Sequence, residues 1–324
     1  MTEVVGVILA GGRGTRLHPV TAGGTPKALI PLFGDATLLS MTLERMATVT
    51  DRQLLVTHRA TAGLYRDRAP AIDQLIEPIR RDTGPAVAHA VTTVAAEDPD
   101  ATVVITPADH LADAAFTEAL AEAAAAAQRH AAIVLVGVTP TRPATGYGYI
   151  RPSTPGGDAV VAVRGFHEKP DPATAATLIQ QGALWNTGVV VAPVSVLRAA
   201  IQASPLAEFA AAVGSDPAGA YAGVRPVSFD VAVLETHDDL LVLPVAASWD
   251  DVGSWDAFAR APARDMLETP GIAHLDRAEG VTVVSDGPTV AAVGVEDLII
   301  VAWEDEVLVV APDAAQDVRG LTDR

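Results

Sequence analysis

The chain of 324 residues contains no cysteine, which excludes disulfides and thiolate metal sites. It is also short of positive charge. Its 22 lysines and arginines stand against 40 aspartates and glutamates, a formal net charge of -18. A chain this acidic does not grip nucleic acid or an anionic membrane through bulk charge, so any phosphate must be held by a local cluster of cations. Long hydrophobic runs are missing as well. Glycine, proline and charge interrupt every apolar stretch before the roughly 20 residues of a membrane span. The start, MTEVVGVILAGG, carries an acidic residue and then a short apolar run. It reads as a buried strand and not as a signal peptide. The expectation is a cytoplasmic protein with neither nucleic-acid nor membrane partners.

What is present is apolar content, 49% of residues, enough for a sizeable core. Residues 4–10 (VVGVILA), 53–57, 102–106 and 131–138 are apolar runs of the kind a central strand shows. Between them lie helical patterns. Residues 37–48 place Leu39, Leu43 and Met46 at helical spacing, 84–96 open on Gly-Pro, and 113–129 have Asp113 as a cap. The Ala-rich 119–128 is a helix former. This alternation predicts an α/β fold with a mainly parallel, mixed sheet. Residues 145–167 read as a hairpin turning at PGGD, 171–181 as a short helix, and 184–191 and 240–245 as strands. From about residue 263 short β runs follow at 281–284, 289–293, 298–302 and 307–310, then a helix over 313–321. The expected division is a larger α/β domain over 1–262 and a small β-rich domain over 263–324.

The stretch LAGGRGTRLHPVTAGGTPKAL, residues 9–29, follows the first apolar run. Gly11, Gly12 and Gly14 allow close backbone approach to an anion, with N–H groups lined up on phosphate oxygens. Arg13 and Arg16 add charge-assisted donors and Lys27 a mobile point charge. No Gly-Lys-Ser/Thr follows, so this is not a P-loop, and Leu17 stands where a dinucleotide fingerprint needs its third glycine. Further on, VVITPADH places Asp109 just past a strand, at the edge where open parallel sheets bind ligands. SWDDVGSW offers Asp250 and Asp251 in a second loop. Asp109 and Asp251 converging on one Mg2+ would suit a cation that takes one or two carboxylates plus substrate phosphates. Turn or helix capping is the competing reading for each.

Taken together, LAGGRGTRLHP…PKALIPL resembles the signature of the sugar-phosphate nucleotidyltransferases, and PADH with W-x-DVGSW resembles their mannose-1-phosphate guanylyltransferase branch. FHEKPD (166–171), WNTG (185–188), TGYGYI (145–150) and the tail VGVEDLIIV…EVLVVAPDAAQDVRGL are similar to the same branch, so the resemblance runs over nearly the whole chain. It implies a Rossmann-like nucleotidyltransferase domain followed by a short left-handed β-helix, a homodimer, and Mg2+ as cofactor. It implies Arg13, Lys27, Asp109 and Asp251 as catalytic, with Asp109 and Asp251 as the metal ligands. The nucleotide would lie on Leu9, Ala10, Gly11, Gly12, Gly14, Thr15 and Arg16, and on Asp82, Thr83 and Gly84 of the segment RRDTGPAVAHA. The sugar phosphate would lie on Gly148, Glu168, Lys169 and Asn186. Asp82 could accept from N1–H and the 2-amino group of guanine, and would serve equally as a turn residue.

The implied reaction is nucleotidyl transfer from GTP to mannose 1-phosphate. Departures from the branch pattern sit at LHPVTA and at DVAVLET, where Thr236 stands in place of a lysine. They keep open a cyclitol 1-phosphate such as valienol 1-phosphate, another hexose 1-phosphate, or UTP, dTTP or ATP as donor. A non-catalytic sugar-nucleotide-binding regulator is the alternative of another class.

Overall fold

The structure is a computed structural model that describes residues 2–12, 14–32, 34–154, 160–261 and 273–321. Its contacts divide the chain into two compact units: Met1–Gly11, Leu43–Ala108 and Ala112–Trp249 in the first, and Gly12–Thr42, Asp109–Leu111 and Asp250–Arg324 in the second. The sequence expectation drew its line at 262/263. The packing instead groups the glycine loop and both aspartates expected as metal ligands with the C-terminal strands.

The first unit is built on nine strands: β1 Val4–Leu9, β2 Arg52–His58, β3 Asp73–Glu77, β4 Thr102–Pro107, β5 Ile133–Val138, β6 Tyr149–Pro152, β7 Val161–His167, β8 Leu184–Pro193 and β9 Leu240–Val245. They form one mixed sheet in the order β3-β2-β1-β4-β8-β5-β9-β7-β6. β3, β2, β1 and β4 run parallel, as do β5 and β9. β8 runs antiparallel to both β4 and β5. The apolar runs read from sequence are the central strands, because a strand covered on both faces has no polar side. β3 was not expected. DQLIE lies at the sheet edge with only Glu77 buried, so it carries no apolar run. The helix Ala62–Arg68 was also unexpected. β6 and β7 form the expected antiparallel hairpin; its PGGD turn lies outside the described residues.

The helix Thr83–Glu97 packs Val87, Val91 and Val94 into the sheet core, beside Leu197, Ile201 and Phe209. Asp113 caps the helix Ala114–His130 as expected. Its Oδ1 accepts from Phe116 N (3.1 Å) and its Oδ2 from Ser248 N (2.8 Å). Among the described residues no helix is long and apolar enough to cross a membrane.

The second unit contains β10 Ala273–Asp276, β11 Thr282–Ser285, β12 Val290–Val293, β13 Ile299–Trp303 and β14 Glu306–Val310. β10 pairs parallel with β12 and β11 with β13, each residue beside the one 17 further on: Ala273 with Val290, Thr282 with Ile299. The corners repeat at the same interval, with positive φ at Arg277 and Gly294 and again at Gly280 and Asp297. This is a β-helix closed by the antiparallel strand β14. The helix expected over 313–321 is present as a 3-10 helix, Pro312–Leu321. Its buried residues, Ala315 and Val318, are three apart, the spacing that stacks on one face of a 3-10 helix. They join Leu17, Val20, Ile30, Leu32, Val252, Trp255 and Phe258 in one core.

Replacing Asp113 with alanine should cost about 1–2 kcal/mol, since a capping carboxylate is lost together with its bond to Ser248 N. Urea unfolding of the two proteins at pH 7 measures it. An unchanged midpoint would show the cap to be dispensable.

Candidate active site

Lys27 is almost fully buried, at 5% exposure, in a short 3-10 turn after Pro26. A buried ammonium needs acceptors for its protons. Here Nζ lies 2.8 Å from Asp109 Oδ2 and 2.5 Å from the carbonyl oxygen of Asp251, with that of Val252 at 3.4 Å. One charge thus ties together three stretches of the second unit that the sequence reading placed in one site. Loss of water pushes the Asp109 carboxyl up. The Lys27 charge, His110 and the hydrogen bond from Lys27 outweigh it and hold the group below the ordinary carboxylate range. Asp251 Oδ1 accepts from Gly253 N (3.0 Å) and Asp250 Oδ1 from Val252 N (2.8 Å). These turns orient the loop.

Among the described residues no three His, Asp or Glu side chains converge as a metal site. Mg2+ takes one or two carboxylates when substrate phosphates and water complete its shell; Asp109 and Asp251 are of that type, and Lys27 meets the carboxylate of the one and the backbone of the other.

In the glycine loop, Gly14 has φ +68, and a Cβ there would stand 2.6 Å from Lys27 Cβ. Glycine is required at 14 by the lysine stem. Gly12 faces open space. Arg16 extends from the turn Thr15–Leu17, while Leu17 is fully buried. Arg13 and the side chain of Thr15 lie outside the described residues.

Leu9, Ala10 and Gly11 belong to the first unit, at the end of β1. There the sequence reading missed a group. Glu77, the last residue of β3, is 4% exposed, and its Oε2 would be 3.3 Å from a Cβ on Gly11. Its Oε1 accepts from Tyr221 OH (3.3 Å), which in turn lies 3.5 Å from His89 Nδ1. Burial, partly offset by Tyr221 and Arg80, pushes the Glu77 carboxyl up to about 7. Burial lowers His89 to about 4, so that imidazole is neutral at pH 7. The one local signal was a charged residue closing LI just before Pro78. Arg80 Nε donates to Gly11 O (3.2 Å). Asp82, at φ 68, caps the helix Thr83–Glu97 through Oδ1 on Thr83 N (2.7 Å). Thr83 Oγ1 accepts from Phe229 N (2.9 Å), and Gly84 N donates to Val227 O (2.9 Å). A Cβ on Gly84 would meet that same carbonyl at 2.7 Å.

The four predicted sugar-phosphate residues come together in the first unit. Asn186 N donates to Gly148 O (2.8 Å). The Glu168 carboxylate lies over Gly148, where a Cβ would stand 2.5 Å from Oε2. Lys169 Nζ pairs with Glu168 Oε1 at 2.5 Å. Asp171 fixes the end of this segment by capping the helix Pro172–Gln180 through Ala173 N and Thr174 N (2.9 and 3.0 Å). Asp230 is an added member, accepting from Asn186 Nδ2 (2.8 Å). Burial raises its pKa; the Asn186 bond opposes this and the Glu168 charge adds to it. Tyr147, Trp185 and Trp249 pack edge to face beside these motifs, with ring centroids 5.1 and 5.2 Å from Tyr147. The Arg142 guanidinium sits 5.3 Å from the rings of Tyr147 and Trp185. The Thr236 hydroxyl donates back to Val233 O (3.2 Å) within its own turn.

Comparison with known proteins bears on this arrangement. Residues 5–267 match the family described as Nucleotidyl transferase, and residues 275–324 the MannoseP isomerase/GMP-like beta-helix domain. The alginate biosynthesis protein AlgA of Pseudomonas aeruginosa is 32% identical over 98% of this chain and 71% of its own length. A mannose-1-phosphate guanylyltransferase of Escherichia coli is 31% identical over 97% and 72%. A crystal structure described as mannose-1-phosphate geranyltransferase, from Thermus thermophilus, superimposes with a TM-score of 0.91 at 33% identity, covering 100% of this chain and 99% of that one. The chain therefore belongs to the nucleotidyl transferase family, as a sugar-phosphate nucleotidyltransferase of the mannose-1-phosphate guanylyltransferase branch.

Proposed function

We propose that the chain transfers a guanylyl group from GTP to mannose 1-phosphate, giving GDP-mannose and pyrophosphate. The observation that carries this reading is the Lys27 ammonium held between Asp109 and the backbone of Asp251 and Val252. A phosphate oxygen of the sugar phosphate attacks the α-phosphorus, and the bond from that phosphorus to the bridging oxygen of pyrophosphate breaks. The nucleophile is largely dianionic at neutral pH, its second pKa being about 6, so the protein need not remove a proton. Its task is positioning and charge neutralisation.

Lys27 and Arg13 neutralise charge on the transferring and leaving phosphates, while loop N–H groups from Leu9 to Arg16 hold the triphosphate. Glu168 accepts from sugar hydroxyls and Lys169 faces the sugar phosphate, with Asn186 and Gly148 shaping the pocket. Asp109 and Asp251 hold Mg2+, which supplies Lewis-acid charge at the phosphoryl oxygens when bound.

Glu77 is our candidate for reading the base. As a carboxylate it can accept from N1–H and the 2-amino group of guanine, and its Oε2, the oxygen not engaged by Tyr221, lies beside Gly11 of the loop. Thr236 brings no cation to the sugar end, which is why cyclitol phosphates belong in the substrate assay.

The decisive experiment is a matrix of five nucleoside triphosphates against mannose, glucose and cyclitol 1-phosphates, read by pyrophosphate release. GTP with mannose 1-phosphate should be fastest; a faster pair reassigns the substrate, and no release from any pair removes the reading. Asp109→Ala and Asp251→Ala should each abolish turnover with the circular dichroism spectrum unchanged. Lys27→Ala should lower kcat by about 10²–10³, with a smaller change in the KM for sugar phosphate.

Glu77 gives a pH signature. With its pKa at about 7, the group is mostly protonated at pH 6 and ionised at pH 8. The KM for GTP should fall across that interval in the wild type. It should stay flat in Glu77→Gln, which should also discriminate less against ATP. A Glu77→Gln variant with the wild-type profile would remove Glu77 from base recognition.

A further inference from the structure

The glycine loop folds back on itself at Gly14. Leu17 N donates to Gly14 O (2.9 Å) and Thr21 Oγ1 to the same oxygen (3.3 Å). What fixes its polar side chains comes from the far end of the chain. Leu17 is buried in the core of the second unit, and the residues on either side of it each meet a C-terminal partner. Arg16 Nη1 donates to Gln316 Oε1 (3.1 Å), and His18 Nε2 lies 2.8 Å from Glu306 Oε2. Among the described residues His18 Nδ1 is buried without a hydrogen-bond partner. Trp255 Nε1 donates to His18 O (2.7 Å).

Gln316 does more than meet Arg16. Its Nε2 donates to Ser254 Oγ (2.9 Å) and approaches Asp256 Oδ1 (3.4 Å). Ser254 itself donates to Asp256, whose carboxylate also receives Arg260 (2.6 Å). The amide is therefore oriented by both of its ends: oxygen on the loop arginine, nitrogen on the segment that begins at Asp251. One of the five N–H donors of Arg16 is used in this way, which leaves others for a phosphate.

We propose that Gln316 is a positioning residue of the triphosphate site: it presents Arg16 to the nucleotide and couples the glycine loop to the Asp251 segment, with Glu306 as a weaker second tether through His18. The inference rests on the reading of the loop as a nucleotide cradle. The His18–Glu306 pair is secondary because Glu306 is half exposed, where water screens such a pair.

The test is calorimetric titration of GTP with Mg2+ into the full chain, its Gln316→Ala and Gln316→Glu variants, and a Glu306→Ala variant, with thermal unfolding of each. Gln316→Ala should weaken GTP binding about threefold to tenfold, the net size of one ordinary hydrogen bond, because the loss reaches the nucleotide only through Arg16. The unfolding midpoint should stay close to that of the wild type. Gln316→Glu keeps an acceptor for Arg16 but loses the donor to Ser254 and faces Asp256, so its GTP affinity should fall between those of the wild type and the alanine variant; Glu306→Ala should have the smaller effect. Equal GTP affinity in wild type and Gln316→Ala overturns the inference, as does a Gln316→Ala variant whose unfolding midpoint falls along with its affinity. Those outcomes leave the nucleotide reading standing. If the wild type binds neither GTP nor any other of the five nucleoside triphosphates, the reading and the inference fall together.

Discussion

A single buried ammonium organises the catalytic half of this protein. Taking Lys27 out of water is tolerable only because a carboxylate and two carbonyl oxygens receive its protons. That requirement brings residue 27, the segment after β4 and the loop after residue 249 to one point. It also dictates the glycine at 14, whose missing side chain makes room for the lysine stem. Glycine at 12 is not under that constraint, since it faces open space. Two glycines that look alike in sequence therefore answer to different demands.

The acidity of the chain makes this economy intelligible. With a net charge of -18, long-range attraction for anions is absent, and phosphate affinity has to come from cations fixed at short range. Lys27 is held by geometry, and Arg80 is tied to the carbonyl of Gly11. Lys169 is likewise kept beside Glu168, at the entry to a helix capped by Asp171. Elsewhere the chain uses burial to keep polar groups uncharged. The Glu77, Tyr221 and His89 network lies under the end of β1 with its imidazole neutral and its carboxyl poised near neutrality.

Much of this was legible beforehand, and the misses have physical causes. Central strands such as β1, β4 and β5 announce themselves because both faces are covered. The Asp113 cap was visible because capping is local. β3 was not, since an edge strand with one buried residue has no period to detect. The 3-10 form of Pro312–Leu321 depends on the surface it packs against, which local propensity does not contain. The grouping of residues 12–42 with the C-terminal strands was equally hidden, because it arises from Leu17, Ile30 and Trp255 sharing a core. Motifs drew attention to Asp109, Asp251, Glu168 and Asn186, whereas the burial of Glu77 and the bond between Asp230 and Asn186 are visible only in the fold. Asp82 shows the converse: its residue type suited guanine, and its backbone placed it on a helix end.

The β-helix repeats at 17 residues in pairing and in corner geometry alike. Its length is consequently quantised. Adding or removing one full turn would preserve each parallel register and return the left-handed corners to matching heights. A change of one or two residues would rotate every later side chain off its face and displace β14 and the terminal 3-10 run together. Evolutionary drift in this part of the chain should thus proceed by substitution on the outer faces, while insertions gather outside the coil.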